Sequence, residues 1–493
     1  MMLKTVRLFQ WISCLMLLGM LSGCMSGPDY KRPDAPVPEK WQQQTQEETS
    51  DAPTDISEWW TLFGDDVLTD LIEQASRENL DLKTAFSRIE EAVAVRGIAR
   101  GEYFPTIDGV GGAGATRISD VNGGNTLDNR SPDLFTVGLD ASWEIDFWGR
   151  IRRSVQSADA SLQASIEDYR DFMTILYAQV ANSYLTMREY QMRIMYLKDN
   201  IKKQADTQKL TQGRYDAGLV PALDVHQAEL NLSRTESSLP TMQQQLSAEM
   251  HRLAVLLGQS PGELIDRLEK YEKVPNPDFD AFVGLPADLL RQRPDVRRAE
   301  QELIAQNARI GVAKADLLPR ISLSGSFALE ANESGQLSDS GSQTYRFGPT
   351  FRWALFQGGR IRSNIQAEEA RTEQAMLQYQ QTVLLALEDV ENAFVGFHQE
   401  KDRLKFIQQS VVSAEKSVSQ VRTLYENGLV NFLNVLDAER SLAEQHDFLA
   451  QSAGQLSRNI VSIYRSLGGG WDIPDEDNQM PTPPDDSNTL SDS

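Results

Sequence analysis

Two stretches decide the fold: Trp143-Glu144-Ile145-Asp146-Phe147-Trp148-Gly149-Arg150-Ile151-Arg152 and Trp353-Ala354-Leu355-Phe356-Gln357-Gly358-Gly359-Arg360-Ile361-Arg362. They lie 210 residues apart, and the sequence superimposes on itself at that offset without a gap from Trp143–Gly258 to Trp353–Gly468. Matches continue through Tyr169/Tyr379, Asn182/Asn392, Tyr215/Tyr425, Gly218/Gly428, Leu223/Leu433 and Glu229/Glu439. Upstream the offset becomes 214, with Asp81/Asp295, Ala85/Ala299, Gly97/Gly311 and Ile107/Ile321, so the first copy carries four extra residues between Ile107 and Trp143. An insertion there marks a loop. Two copies are too few for a free-standing solenoid, which points to closure by oligomerisation.

Each copy begins its duplicated part with strand signals. Ile321, Leu323, Phe327 and Leu329 alternate with Ser322, Ser324, Ser326 and Ala328; Tyr345, Phe347, Phe351, Trp353 and Leu355 alternate with polar or small neighbours. Val137, Leu139, Ala141, Trp143 and Ile145 repeat the pattern in the first copy. Period two predicts strands at 106–117, 133–146, 320–330 and 344–356. Segments of about ten residues with aromatics at their ends suit tilted membrane strands. Four strands cannot enclose a pore, whereas two, three or four chains would supply 8, 12 or 16.

Helix occupies most of the remainder. From Phe147 to Ala217, and again from Gln357 to Asn427, run 71 residues without proline. At 1.5 Å per residue each spans roughly 105 Å. A return path in two pieces, Ala222–Gly258 and Asp295–Leu318, has nearly the same summed length and predicts a long antiparallel hairpin. Between those pieces the Pro- and Asp-rich run 275–280 and Leu285-Pro286-Ala287-Asp288 reads as a belt around the helical shaft. Gly218 and Gly428 sit where each long helix must reverse, with Asp224 or Asn434 expected to cap the next one.

The ends set the compartment. Lys4 and Arg7 precede an apolar run from Leu8 to Leu21, a secretory signal outside the mature fold. Its end, Leu21-Ser22-Gly23-Cys24, resembles the bacterial lipobox, which implies N-acylation and S-diacylglycerol on Cys24. Several acyl chains hold such a terminus in a leaflet almost permanently. Met25 follows where inner-membrane retention usually has Asp, so the resemblance implies sorting to the outer membrane. The other cysteine, Cys14, is lost with the signal, leaving no thiol pair. After the signal no run of 18 apolar residues exists, so any span must be made by strands. A formal charge of −23 argues against nucleic-acid binding.

Three motifs carry a family resemblance: Gly27-Pro28-Asp29-Tyr30-Lys31-Arg32-Pro33, the run Gly284-Leu285-Pro286-Ala287-Asp288-Leu289-Leu290-Arg291-Gln292-Arg293-Pro294-Asp295, and Leu467-Gly468-Gly469-Gly470-Trp471. Together with the duplication they resemble the TolC-like outer-membrane factors of tripartite RND efflux systems, of the OprM-type lipoprotein and NodT branch. The resemblance implies an α+β chain with two structural repeats, forming a homotrimer. Its twelve strands would make one transmembrane β-barrel in the outer membrane, continued by a long antiparallel α-helical tunnel across the periplasm. The expected organisation is a signal peptide (1–23), a lipid anchor and N-terminal equatorial segment (24–79), repeat 1 (80–258), an equatorial linker (259–293), repeat 2 (294–469) and an acidic tail (470–493) whose composition predicts disorder.

The resemblance also assigns sites. The tips Tyr215, Gly218, Leu219, Val220 and Tyr425, Gly428, Leu429, Val430 would dock onto a periplasmic adaptor that joins the duct to an inner-membrane RND transporter. Leu433, Asp437 and Arg440 share one helix face, at i, i+4 and i+7. The positions matching Leu433 and Asp437 narrow the periplasmic mouth in the family, and the one matching Arg440 ties neighbouring helices. The bland alternative is Leu433 in the core and an Asp437–Arg440 surface ion pair. Repeat 1 has Leu223 and Gln227 there, so the acidic ring belongs to one repeat only. No catalytic motif, phosphate loop or H-E-x-x-H occurs, and His226, His251, His398 and His446 are too scattered for a metal cage. The expectation is a passive exit duct, neither enzyme nor cofactor protein, exporting drugs or other small solutes; a type I protein secretion duct and a non-channel scaffold lipoprotein are the alternatives.

Overall fold

The computed structural model describes residues 25–33, 56–115, 134–277 and 292–471. The signal peptide, Cys24, residues 278–291 of the belt and signature, and the tail from 472 onward lie outside the described residues. The chain divides into two units, one of residues 1–34, 89–165 and 299–379, the other of 35–88, 166–298 and 380–493.

The first unit holds one antiparallel sheet in the order β1 (Thr106–Gly114), β2 (Leu134–Ile145), β3 (Arg320–Ala331), β4 (Gln343–Arg352). In-register pairs include Gly109↔Leu139, Trp143↔Leu323 and Phe351↔Ile321. The expected strand 344–356 stops at Arg352, because its partner Arg320 is the first residue of β3 and nothing lies beyond it to pair with. Trp353 instead donates its indole N–H to the Leu317 carbonyl at 3.0 Å. The first strand ends at Gly114, three residues before its expected end, and residues 116 and 117 lie outside the described residues.

Seven longer helices make up most of the rest: α1 (Asp66–Glu78), α2 (Leu80–Gly101), α3 (Arg150–Asp216), α4 (Ala222–Leu256), α5 (Pro294–Ala315), α6 (Arg360–Glu426) and α7 (Phe432–Ser466). Helices α3 and α6 are 67 residues each, about 100 Å long. The return pieces are 35 and 22 residues, two fewer each than expected. The first ends at Leu256, capped by Leu257, and Gly258 beyond it, with a φ of 69°, turns the chain out of the helix. Pro240 sits inside α4 at an exposed position and removes one i→i−4 bond there. The stretch 259–277 carries one short turn of helix, Ile265–Leu268. None of the described helices is long and apolar enough to cross a membrane.

The core of the second unit is built by a segment whose role was not apparent in the sequence. Trp59 is 1% exposed and stacks on Tyr464 at 5.6 Å, while Trp60 meets Tyr177 edge-on at 5.1 Å. Trp471, the last residue of the terminal motif, lies under Arg170 at 4.7 Å and Arg297 at 5.6 Å. Such stacked pairs add about 0.5–1.5 kcal/mol each beyond the area they bury.

Candidate functional site

Both helix reversals have the same backbone. Gly218 (φ 72°) and Gly428 (φ 73°) take the left-handed conformation, and the next residue closes a 6→1 bond, Leu219 N to Arg214 O and Leu429 N to Leu424 O, each 2.9 Å. A side chain at either glycine would be strained, so these positions require glycine. The caps of the following helices differ from expectation. Pro221 precedes α4 and offers no side-chain acceptor, while Asn431, not Asn434, caps α7 by accepting from the Asn434 amide. Asp224 instead sits within the first turn of α4, where its charge favours the helix N-terminus.

The structure brings the two tips together. Arg214 donates to the carbonyls of Tyr425 and Glu426, both at 2.8 Å, and its guanidinium lies 4.8 Å over the Tyr425 ring. A cation there complements the C-terminal end of the α6 dipole. Tyr425, Phe432, Val435, Leu436 and Ala228 form a small apolar cluster, against which Val220 and Val430 pack. Of the eight tip residues, Tyr215, Leu219 and Leu429 are therefore the large exposed ones, and Tyr425 is a packing residue at 2% exposure.

Just past that tip, α7 sorts its faces. Phe432, Val435, Leu436 and Glu439 point into the chain, whereas Leu433, Asp437 and Arg440 are exposed. Leu433 is thus outside the core, and Arg440 donates to Asn231 Oδ1 of α4 at 3.1 Å, not to Asp437. Behind this face Thr207 Oγ1 donates to Glu439 Oε1 at 2.6 Å, and burial raises the Glu439 pKa above the usual carboxylate range. Further along α7, Arg193 grips Asp447 (2.7 and 3.2 Å), Arg458 pairs with Glu189 at 2.7 Å, and His446 stacks on Tyr196 at 4.5 Å. These links between α3 and α7 could not be read from the repeat, because the residues matching Asp447 and Glu189 are Ser237 and Gln399.

The long helices, the double reversal and the duplicated sheet have counterparts in known proteins. A family profile described as "Outer membrane efflux protein" matches residues 71–259 and 285–469. The chain belongs to the outer membrane efflux protein family. Nodulation protein T of Rhizobium leguminosarum bv. trifolii is 30% identical over 456 residues, covering 92% of this chain and 96% of that protein. The cation efflux system protein CusC of Escherichia coli O6:H1 is 28% identical over 456 residues, with the same two coverages. Among solved structures, the outer-membrane channel OprN superimposes with a TM-score of 0.86 at 35% identity, covering 91% of this chain and 100% of that one.

As in the matched family, the chain is an exit duct of the efflux type, and its motifs acquire physical roles. In the signature that precedes α5, Arg293 donates to both carboxylate oxygens of Asp295 (3.0 and 2.7 Å), to the Ser466 carbonyl (2.5 Å) and to Asp389 (3.3 Å). Arg293 is nine-tenths buried, so the pair ties α5 to the end of α7 and the flank of α6. Close by, burial and the Asp295 charge push the Asp171 carboxyl up to about 6. Near the N-terminus, Gly27 and Gly311 touch backbone to backbone; a Cβ on Gly27 would lie 2.5 Å from the Gly311 Cα. Arg153, 1% exposed, donates to the Ser26 carbonyl (3.0 Å) and to Asp29 (2.7 Å), while Tyr30 and Arg32 both reach Glu300. The Gly-Pro-Asp-Tyr motif is a clasp that fixes the chain just after Cys24.

Proposed function

We propose that this chain is the outer-membrane duct of a tripartite pump, conducting small solutes passively from a periplasmic adaptor and an inner-membrane RND transporter to the exterior. Three copies would close twelve strands into one barrel, and a lipid on Cys24 would hold the N-terminus in the inner leaflet of the outer membrane, just before the clasp. The exposed tip residues Tyr215, Leu219 and Leu429 would meet the adaptor.

The observation that carries the reading is the sorting of α7, which leaves Leu433 and Asp437 solvent-facing on one stripe while their neighbours fill the core. Threefold symmetry about that stripe would set an apolar ring beside three carboxylates, a constriction that dewets and attracts cations. Planar-bilayer recordings test it. Leu433→Ala with Asp437→Ala should raise conductance and weaken block by polyvalent cations added on the tip side, and changes at Leu223 and Gln227 should do less. Equal conductance and equal block in wild type and double variant would end the gate assignment, and a wild-type protein that never conducts would end the duct.

A further inference from the structure

Among the described residues the sheet of the first unit has two open edges, since β1 pairs only with β2 and β4 only with β3. The internal duplication says what should lie there. An offset of 210 carries β2 onto β4, and an offset of 214 carries β1 onto β3. One bond in each copy follows these offsets atom for atom: Trp143 Nε1 donates to the Tyr103 carbonyl at 2.8 Å, and Trp353 Nε1 donates to the Leu317 carbonyl at 3.0 Å. The β2·β3 pairing therefore has a counterpart in a β4·β1 pairing, which four strands cannot make within one chain.

The counterpart has a definite register. Within the chain Trp143 faces Leu323, Ala141 faces Gly325, Ser142 faces Ser324 and Asp140 faces Ser326, antiparallel. Moved by the two offsets, Trp353 faces Gly109, Phe351 faces Gly111, Arg352 faces Val110 and Thr350 faces Gly112. Side-chain alternation is preserved, so each aromatic meets a glycine on one sheet face.

That coincidence explains residues the single chain leaves unexplained. Neither Gly109 nor Gly111 has a positive φ. A Cβ at Gly109 would have nothing within 4 Å, and one at Gly111 would meet only the Thr136 carbonyl at 3.8 Å. Opposite them in the transferred register stand Trp353 and Phe351, 52% and 77% exposed. The chain already uses the same device once: Phe347 lies across from Gly325, with its ring 3.3 Å from where a Cβ would be. The polar face agrees as well, because Arg352 of β4, opposite Val110, stands diagonal to Asp108 of β1 in this register.

We propose that β4 of one copy pairs antiparallel with β1 of the next, with Trp353 opposite Gly109 and Phe351 opposite Gly111, so that aromatic side chains cover glycines along the seam between copies. The proposal rests on the oligomeric barrel proposed above and adds the residues that join it.

Thr350→Cys with Gly112→Cys tests the register in the full-length chain, purified in detergent and treated with a one-carbon bis-methanethiosulfonate. The expected result is conversion of the monomer band on a denaturing gel into dimer and trimer, absent from either single variant. Asp140→Cys with Ser326→Cys, a pair made within the chain, reports that the sheet has folded. Arg352→Cys with Val110→Cys reads the same register a second time should the first pair fold poorly. A bridged intrachain control beside seam pairs that stay monomeric would overturn the proposal, as would stronger bridging of Thr350→Cys with Val110→Cys, which marks a register slipped by two residues. Cross-linked trimers without conductance would sink the duct reading and leave the seam standing.

Discussion

Replacing Gly311 by Ala probes the N-terminal clasp, and the repeat supplies its control in Gly97→Ala. In an open helix position the change from Gly to Ala gains about 1 kcal/mol. Gly97 is such a position, with nothing within 4 Å of its absent Cβ. At Gly311 the same Cβ would lie 2.6 Å from the Ser26 carbonyl oxygen and 2.7 Å from Arg153 Cγ. Ordinary carbon contacts of these kinds need about 3.3–4.0 Å, so a shift near 1 Å is required. Arg153 cannot swing aside cheaply, since its guanidinium is held by Ser26, Asp29 and Gln156 at 3.0, 2.7 and 2.8 Å. Overpacking of this sort costs about 1–3 kcal/mol, which sets the difference between the two variants and corresponds to roughly 5- to 150-fold in the opening constant of the clasp. Amide hydrogen exchange reads that constant at Ser26, whose N–H is bonded to the Trp148 carbonyl at 2.9 Å. Gly311→Ala should exchange faster by that factor and Gly97→Ala should match wild type. Equal protection of Ser26 in both variants would show that this contact does not hold the clasp.

Cys24→Ala should abolish palmitate labelling and globomycin-sensitive processing while leaving the fold, because the clasp and barrel do not depend on the lipid; unchanged labelling would refute the lipoprotein assignment. Burial lowers the pKa of His446, whose Nδ1 has no partner, against the opposing pull of Glu415 and Asp199 and with the help of Lys203. The folded state thus resists the proton, so stability tied to His446 is complete above about pH 6.5 and is lost as pH falls below that value. Asp171 runs the other way, since its raised pKa adds stability as pH falls through about 6; comparing melting temperatures of His446→Gln and wild type from pH 8 to pH 5 isolates the histidine, and parallel curves would rule it out. Glu439→Ala should cost about 0.5–1.5 kcal/mol, because it removes the short bond from Thr207 while the hydroxyl can still donate to the Lys203 carbonyl at 3.1 Å, whereas Glu439→Gln, which still accepts, should cost less; denaturant midpoints in which the two are equal would contradict that account.

The duplication, the four strands, the long helices and the reversals at Gly218 and Gly428 are legible in the chain before it folds. Each of these is written in local pattern: period two, freedom from proline over 71 residues, and a glycine where the backbone must go left-handed. The face of α7 on which Leu433, Asp437 and Arg440 lie was equally legible, because spacing alone puts them together. Tertiary structure decided which of those faces is covered. Tyr425 and Tyr215 are the same residue in matched motifs, yet only Tyr425 is buried, since Arg214 and Phe432 happen to reach it. Pairing between distant elements was likewise invisible: Trp59 against Tyr464, Arg153 against Asp29, and Thr207 against Glu439 join residues more than 120 positions apart, with no periodicity to announce them. The stop of β4 at Arg352 has the same origin, because the alternation continues to Leu355 but a strand lasts only as far as a partner backbone runs beside it.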